Sequence, residues 1–95
     1  MATSRKTVRA VMRGRVQGVW YRGWTVDEAT TLGLSGWVRN RFDGSVEAVF
    51  AGPGDDVDEM LRRCHDGPSA ARVGTVEVEP WSGGVEAGFR QLPSG

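Results

Sequence analysis

Two hydrophobic rhythms take turns along this chain, and their order leaves few folds open to it. From Thr7 to Arg13, Val8, Ala10 and Met12 alternate with Arg9 and Arg13, with Val11 alone joining the polar side, which predicts a strand with one buried face. A glycine-bracketed loop, Gly14 to Val19, then leads into a segment from about Tyr21 to Leu32. There Tyr21, Thr25, Ala29 and Leu32 recur at spacings of four, four and three, the stripe of a helix, closed by Gly33 in the C-terminal cap position. Period two returns over Ser35–Arg41 and Ser45–Ala51, joined by the tight turn Phe42-Asp43-Gly44, so a β-hairpin is predicted with Val46, Ala48 and Phe50 on one face. After Gly52-Pro53-Gly54, either Asp55 or Asp56 can cap a second helix, whose Val57, Met60, Leu61 and Cys64 fall at i, i+3, i+4 and i+7 and which Gly67-Pro68 stops. A fourth strand is predicted from about Arg72 to Glu79, with Gly74 marking a bulge because Val73 is out of phase, and Phe89–Leu92 can add a short last one.

Strand, helix, strand, strand, helix, strand is the order of a split βαβ unit. The expected class is α+β: a ferredoxin-like two-layer sandwich, βαββαβ, with two helices on one face of a four- or five-stranded antiparallel sheet. At 95 residues the chain supports one core. Residues 1–6 are expected to be a disordered N-terminal tail and residues 7–95 a single domain. Twelve basic residues balance twelve acidic ones, giving a formal net charge of +0, so the overall field does not favour a polyanion such as nucleic acid. The lone cysteine, Cys64, has no partner for an internal disulfide. No apolar run approaches the roughly 18 residues of a membrane span, and Met-Ala-Thr-Ser-Arg-Lys lacks the apolar stretch of a secretory signal. A cytoplasmic monomer with a small-molecule partner, and neither nucleic acid nor membrane, is the expectation.

The loop between the first strand and the first helix has the makings of an anion site. Gly14 and Gly18 can adopt backbone angles closed to other residues, so that successive N–H groups face a common centre. The loop also feeds a helix N-terminus, whose unpaired amides and positive dipole end favour an anion. Arg22 falls in the first helical turn, and helical side chains tilt toward the N-terminus, which brings its guanidinium back over the loop. A fork of donors would then face a tetrahedral dianion. The plainer alternative is a tight turn, with Arg22 in a surface ion pair.

Asn40 is the second candidate. In the second strand Gly36, Val38 and Asn40 share a face, and a strand–helix–strand crossover runs parallel to the first strand. The end of the second strand therefore returns to the level of the loop, so Arg22 and Asn40 would meet at one edge. Alternatively, Asn40 simply initiates the turn before Asp43-Gly44.

Both segments resemble the acylphosphatase family. GRVQGVWYR, from Gly14 to Arg22, is similar to that family's phosphate loop and catalytic arginine. GWVRNRFDGSVEAVFAG, from Gly36 to Gly52, is similar to its second motif, which carries the catalytic asparagine. The likeness continues through Leu32-Gly33-Leu34, Gly67-Pro68, Ala71, Val73 and Val78. Two departures stand out. Tyr21 occupies a position where the family more often has Phe, adding a hydroxyl near the site, and Gly88-Phe89-Arg90-Gln91-Leu92 is a weaker form of the closing strand. The resemblance implies metal-independent hydrolysis of acyl phosphates to carboxylate and phosphate. Backbone amides of Arg15, Val16, Gln17, Gly18, Val19, Trp20 and Tyr21 would bind phosphate, or inorganic phosphate in its place, while Arg22 holds its oxygens and Asn40 the attacking water. It implies no metal and no organic cofactor.

Those groups are chemically sufficient. The leaving carboxylate has a conjugate acid of pKa about 4, so its oxygen needs no proton at neutral pH. Phosphoryl transfer is catalysed largely by positioning and charge stabilisation, which a neutral amide and a guanidinium supply. By the resemblance, the substrate's own phosphate is a candidate acceptor for the water's proton.

Other chemistries fit less well. A cysteine phosphatase loop starting at Cys64 would need arginine where Ala70 stands, and Cys64 belongs to the apolar stripe of its helix. His65, the only histidine, has no metal-ligand spacing. Trp20, Tyr21, Trp24, Trp37 and Trp81 can pack as core and pocket wall, yet Trp37 and Arg39 on an open sheet face also fit a module that stacks RNA bases. A regulatory or accessory role is a third option, since acylphosphatase-like domains also occur within larger carbamoyl-transfer proteins.

Overall fold

The computed structural model describes residues 4–95. Its elements run β1 (Arg5–Arg15), α1 (Tyr21–Thr31), β2 (Ser35–Asn40), β3 (Val46–Pro53), α2 (Gly54–Cys64), β4 (Arg72–Pro80) and β5 (Phe89–Gln91). They form one five-stranded sheet in the order β4-β1-β3-β2-β5.

The predicted α+β sandwich is present, with two corrections. The first concerns the sheet. Pairs β1–β3, β1–β4 and β2–β3 are antiparallel, but β5 lies parallel to β2, with Gly36 opposite Phe89 and Val38 opposite Gln91. The sheet is therefore mixed. From β4 on one edge the chain crosses to the free edge of β2 on the other and arrives running in the direction of β2. On the way it seats Trp81 edge-on to Trp37, ring centroids 6.2 Å apart.

The second correction concerns the tail. Of the six residues expected to be disordered, 1–3 lie outside the described residues, whereas Arg5 and Lys6 belong to β1. They find partners because β3 runs on to Pro53, setting Arg5 opposite Pro53 and Lys6 opposite Gly52. The Ser4 carbonyl also accepts from Gly54 N at 2.7 Å. That bond satisfies the first amide of α2, which starts at Gly54 behind Pro53 with no side-chain cap, so Asp55 and Asp56 lie in its first turn and neither caps it. No helix among the described residues is long and apolar enough to cross a membrane.

The core fills the space between the sheet and both helices. Ala10, Met12, Val38, Val46, Ala48 and Phe50 are buried opposite Tyr21, Thr25 and Ala29 of α1 and Val57, Met60 and Cys64 of α2. Each large apolar side chain enclosed in this way contributes about 1.5–3 kcal/mol. Gly33 (φ 71°) ends α1 as foreseen: its amide bonds Thr30 O at 3.0 Å and Leu34 N bonds Ala29 O at 2.9 Å, the paired pattern of a left-handed terminus. The other sheet face is bound by charge. Glu47 accepts from Arg9 Nε at 2.5 Å and Arg39 Nε at 2.7 Å, and Arg13 Nε reaches Glu77 at 3.3 Å. Val11, expected on a polar face, is buried there between Glu47 and Glu77 on the neighbouring strands. Burial is the largest single influence on the Glu47 carboxyl and pushes it up, but the hydrogen bonds and charges of the two guanidiniums together outweigh it and hold the carboxyl below its ordinary value. Arg39 also lies 5.3 Å over the Trp37 ring, so the pair that suggested an RNA platform is engaged within the fold.

Candidate active site

The register fixes where the two candidate motifs meet. Val46 begins β3 and stands opposite Met12 on one side and Asn40 on the other, so β1 and β2 end at the same level with β3 between them. Beyond Met12 the chain continues along β4 as far as Arg15, then turns through Val16–Trp20 into α1.

Gly14 and Gly18 both have positive φ, 128° and 74°, but they serve different ends. A Cβ at Gly14 would collide with the Arg72 carbonyl and lie 2.7 Å from Gly74 N, so Gly14 permits the close approach at the β1–β4 bulge. At Gly18 a Cβ would meet nothing within 4 Å, so the demand there is purely conformational. Trp20 shares the left-handed conformation (φ 66°, ψ 24°) and is the N-cap of α1. Left-handed residues alternating with right-handed ones are the backbone pattern that can turn successive amides toward a shared centre.

The first intrahelical bond of α1 runs from Trp24 N to Trp20 O at 3.0 Å. The amides of Tyr21, Arg22 and Gly23 precede it and so have no acceptor within the helix. No side chain caps this end, and its first turn holds no acid. These donors lie at the positive end of a dipole, at the edge of the cavity described below.

Three side chains hold the loop in place. Val16 and Val19 are buried in the core. The Gln17 amide donates to the carbonyls of both Arg41 and Ser45, each at 2.8 Å, which ties the loop to the β2–β3 turn. That turn is itself braced by Asp43, whose Oδ1 accepts from Ser45 N at 2.9 Å and Ser45 Oγ at 2.6 Å. Those two bonds lower the Asp43 carboxyl to about 2.

A cavity of about 150 Å³ opens at this junction, lined by Val16, Gly18, Trp20, Tyr21, Arg22, Gly23, Asn40 and Gln91. Arg22 is half-buried and makes no ion pair or side-chain hydrogen bond among the described residues. The surface ion pair offered as its plainer role is therefore not formed. Asn40 ends β2 on the helix-facing side, in line with buried Val38, and its Oδ1 is enclosed with no hydrogen-bond partner. Leaving a buried acceptor unmade costs about 1–3 kcal/mol.

Not every expected residue faces the cavity. Arg15 is still in β1, opposite Arg72, because the strand outruns the glycine taken as its end. Gln17 and Val19 support the loop from behind. The Tyr21 hydroxyl donates to Cys64 O at 2.6 Å, which binds α1 to the end of α2 and contributes nothing to the cavity. Burial raises the Tyr21 phenol and pushes the Cys64 thiol up to about 12, so neither ionises near neutrality. Gly23 and Gln91 were not anticipated. Gly23 carried a signal, a glycine inside a helix, whereas Gln91 reaches the site through the parallel pairing of β5, which no local pattern announces.

Comparisons with known proteins agree with this geometry. The acylphosphatase family model matches residues 8–91. An acylphosphatase of Rhizorhabdus wittichii is 57% identical over 86 residues, covering 90% of this chain and 87% of the relative. One from Rhodospirillum rubrum is 54% identical over 89 residues, covering 94% and 98%. The solved structure of an acylphosphatase from Coxiella burnetii superposes with a TM-score of 0.88 at 31% identity, covering 93% of each chain. Sequence and backbone lead to one conclusion: the chain belongs to the acylphosphatase family.

Proposed function

We propose that this protein hydrolyses the carboxyl–phosphate bond of acyl phosphates, with loop and helix amides and Arg22 gripping the phosphoryl group and Asn40 holding the attacking water. The observation that carries this reading is the meeting, in one small cavity, of three unsatisfied groups of complementary use. The amides at the start of α1 and the unpaired guanidinium are donors without an acceptor. Asn40 Oδ1 is an acceptor without a donor. A phosphoryl dianion meets the first need and a water molecule the second.

The chemistry follows from those roles. As the bond to the carboxylate stretches, charge spreads over the equatorial oxygens, where fixed amide dipoles and a guanidinium stabilise it without reorganising. The carboxylate leaves unprotonated, so no acid is required opposite the amides. The Asn40 carboxamide holds the water by a hydrogen bond and orients its lone pair toward phosphorus, a gain in positioning; one proton of that water passes to an oxygen of the substrate's own phosphate, so the products are carboxylate and dihydrogen phosphate. The same reading has inorganic phosphate compete for the loop. It takes a single chain as the working unit and the cytoplasm as its compartment.

The test is hydrolysis of benzoyl phosphate with a chelator present, comparing wild type with Arg22→Ala and Asn40→Ala. Arg22→Ala is expected to lose about a hundredfold or more in rate, about 3 kcal/mol in the barrier, together with inhibition by phosphate. Asn40→Ala is expected to lose rate while keeping that inhibition. Equal activity in all three folded proteins overturns the assignment.

A further inference from the structure

One wall of the cavity is left unused by the chemistry above. Trp20 is the sole non-glycine with positive φ among the described residues, in a region that bulky side chains enter only at a cost. The residue is 64% exposed. The fold makes room for the ring. Gly23 lies in the first turn of α1, where glycine is about 1 kcal/mol worse than alanine. A Cβ on Gly23 would collide with Trp20 Nε1 and lie 2.7 Å from Cε2. The indole therefore rests against bare helix backbone, beside Arg22.

The remaining lining offers no comparable surface. Val16 and Tyr21 are each 1% exposed, Gly18 and Gly23 bring no side chain, and Arg22, Asn40 and Gln91 are polar. The ring of Trp20 is the one large apolar surface in the cavity that a bound molecule can reach.

We infer that Trp20, seated on Gly23, is the acyl subsite, and that it favours a flat, apolar acyl group such as an aromatic one. The inference rests on the acyl phosphate reading and adds the class of acyl group to it. With the phosphoryl group on the amides, the acyl carbonyl continues from the bridging oxygen, and a planar group conjugated to it can lie against the indole face. The strained backbone at Trp20 then has two uses: it turns an amide toward the anion and holds the ring beside the acyl group.

The experiment compares kcat/KM for benzoyl and acetyl phosphate in wild type, Trp20→Phe, Trp20→Asn and Gly23→Ala, with circular dichroism to check folding. Asn tolerates the left-handed backbone, and Gly23→Ala displaces the ring without altering the loop. The benzoyl-to-acetyl ratio is expected to fall about fivefold in Trp20→Asn and in Gly23→Ala, and to stay within about twofold in Trp20→Phe. An unchanged ratio in Trp20→Asn overturns the subsite; should that variant not fold, the ratio in Gly23→Ala decides. Turnover of both compounds by wild type keeps the hydrolase reading whatever the ratios do, whereas turnover of neither overturns both proposals.

Discussion

The two helices start alike and are charged in opposite ways. Each follows a strand or loop containing glycine, and neither has a side-chain cap. In α2 the first turn carries Asp55 and Asp56 and the last turn Arg62 and Arg63, so both ends of its dipole are complemented from within the chain. In α1 the first turn holds no acid and the last turn no base, and the charge nearest its N-terminus is Arg22, of the unfavourable sign. A complementary charge in a terminal turn contributes about 0.3–1 kcal/mol. The first helix forgoes that stabilisation, and an anion arriving from solution is the group that can restore it. The uncompensated terminus opens beside Asn40 at one end of the sheet and the compensated one lies by Ser4 at the other, so the fold keeps the two apart.

Making the two ends alike should have the largest effect. Arg22→Glu gives α1 an acidic first turn like that of α2. Hydrolysis of benzoyl phosphate is expected to fall about a thousandfold, about 4 kcal/mol in the barrier, while the melting temperature holds or rises. In the same pair of proteins, phosphate at about 100 times its Kd should add about 2.7 kcal/mol to wild-type stability by calorimetry and nothing to the variant. An equal gain in both would place the anion elsewhere.

A smaller effect is expected at the loop's tether. Gln17→Leu removes both hydrogen bonds to the β2–β3 turn and should lower stability by about 1–2 kcal/mol in urea titration. It should also weaken phosphate inhibition, because the loop amides lose their fixed aim. Smaller again, Asp56→Asn removes one compensating charge from α2. About 0.5 kcal/mol of stability should go, with catalysis untouched. If catalysis falls as well, the two termini are not independent.

The weakest effect concerns pH. Asp43 is exposed and held at about 2 by Ser45, below the roughly 3.9 of an unfolded aspartate. Its support for the turn is therefore complete above about pH 4 and withdrawn as acid protonates it down to about pH 2. Melting temperature against pH should be flatter over that window in Asp43→Asn than in wild type.

Much of this architecture is legible in the residues because it rests on local periodicity. Val8, Ala10 and Met12, or Val57, Met60 and Cys64, declare their element by spacing alone. Arg22 and Asn40 could be nominated because each sits at the end of a periodic segment whose crossover has a fixed hand. What stayed hidden depends on distant partners. Three residues of β5 cannot state which edge they join, and with that edge goes Gln91. Val11 looks misplaced until the opposite face proves to be covered by paired charges. Gln17 shows no pattern because its acceptors are two backbone carbonyls in another turn. The Tyr21 hydroxyl was expected near the site, and its actual partner, the carbonyl of Cys64, belongs to the far end of α2. Nothing in the identity of Trp20 announces a left-handed backbone.

The position of Val46, in register with Met12 on one side and Asn40 on the other, also sets a gauge. Neighbouring strands stand about 4.8 Å apart, so the two strand ends that flank β3 are separated by roughly 9.6 Å. That span is filled by β3 itself, so it fixes the sideways offset at which the loop after β1 and Asn40 at the end of β2 approach the cavity. The middle strand thus works as a spacer, and the offset it sets is as rigid as the hydrogen-bond ladder on either side.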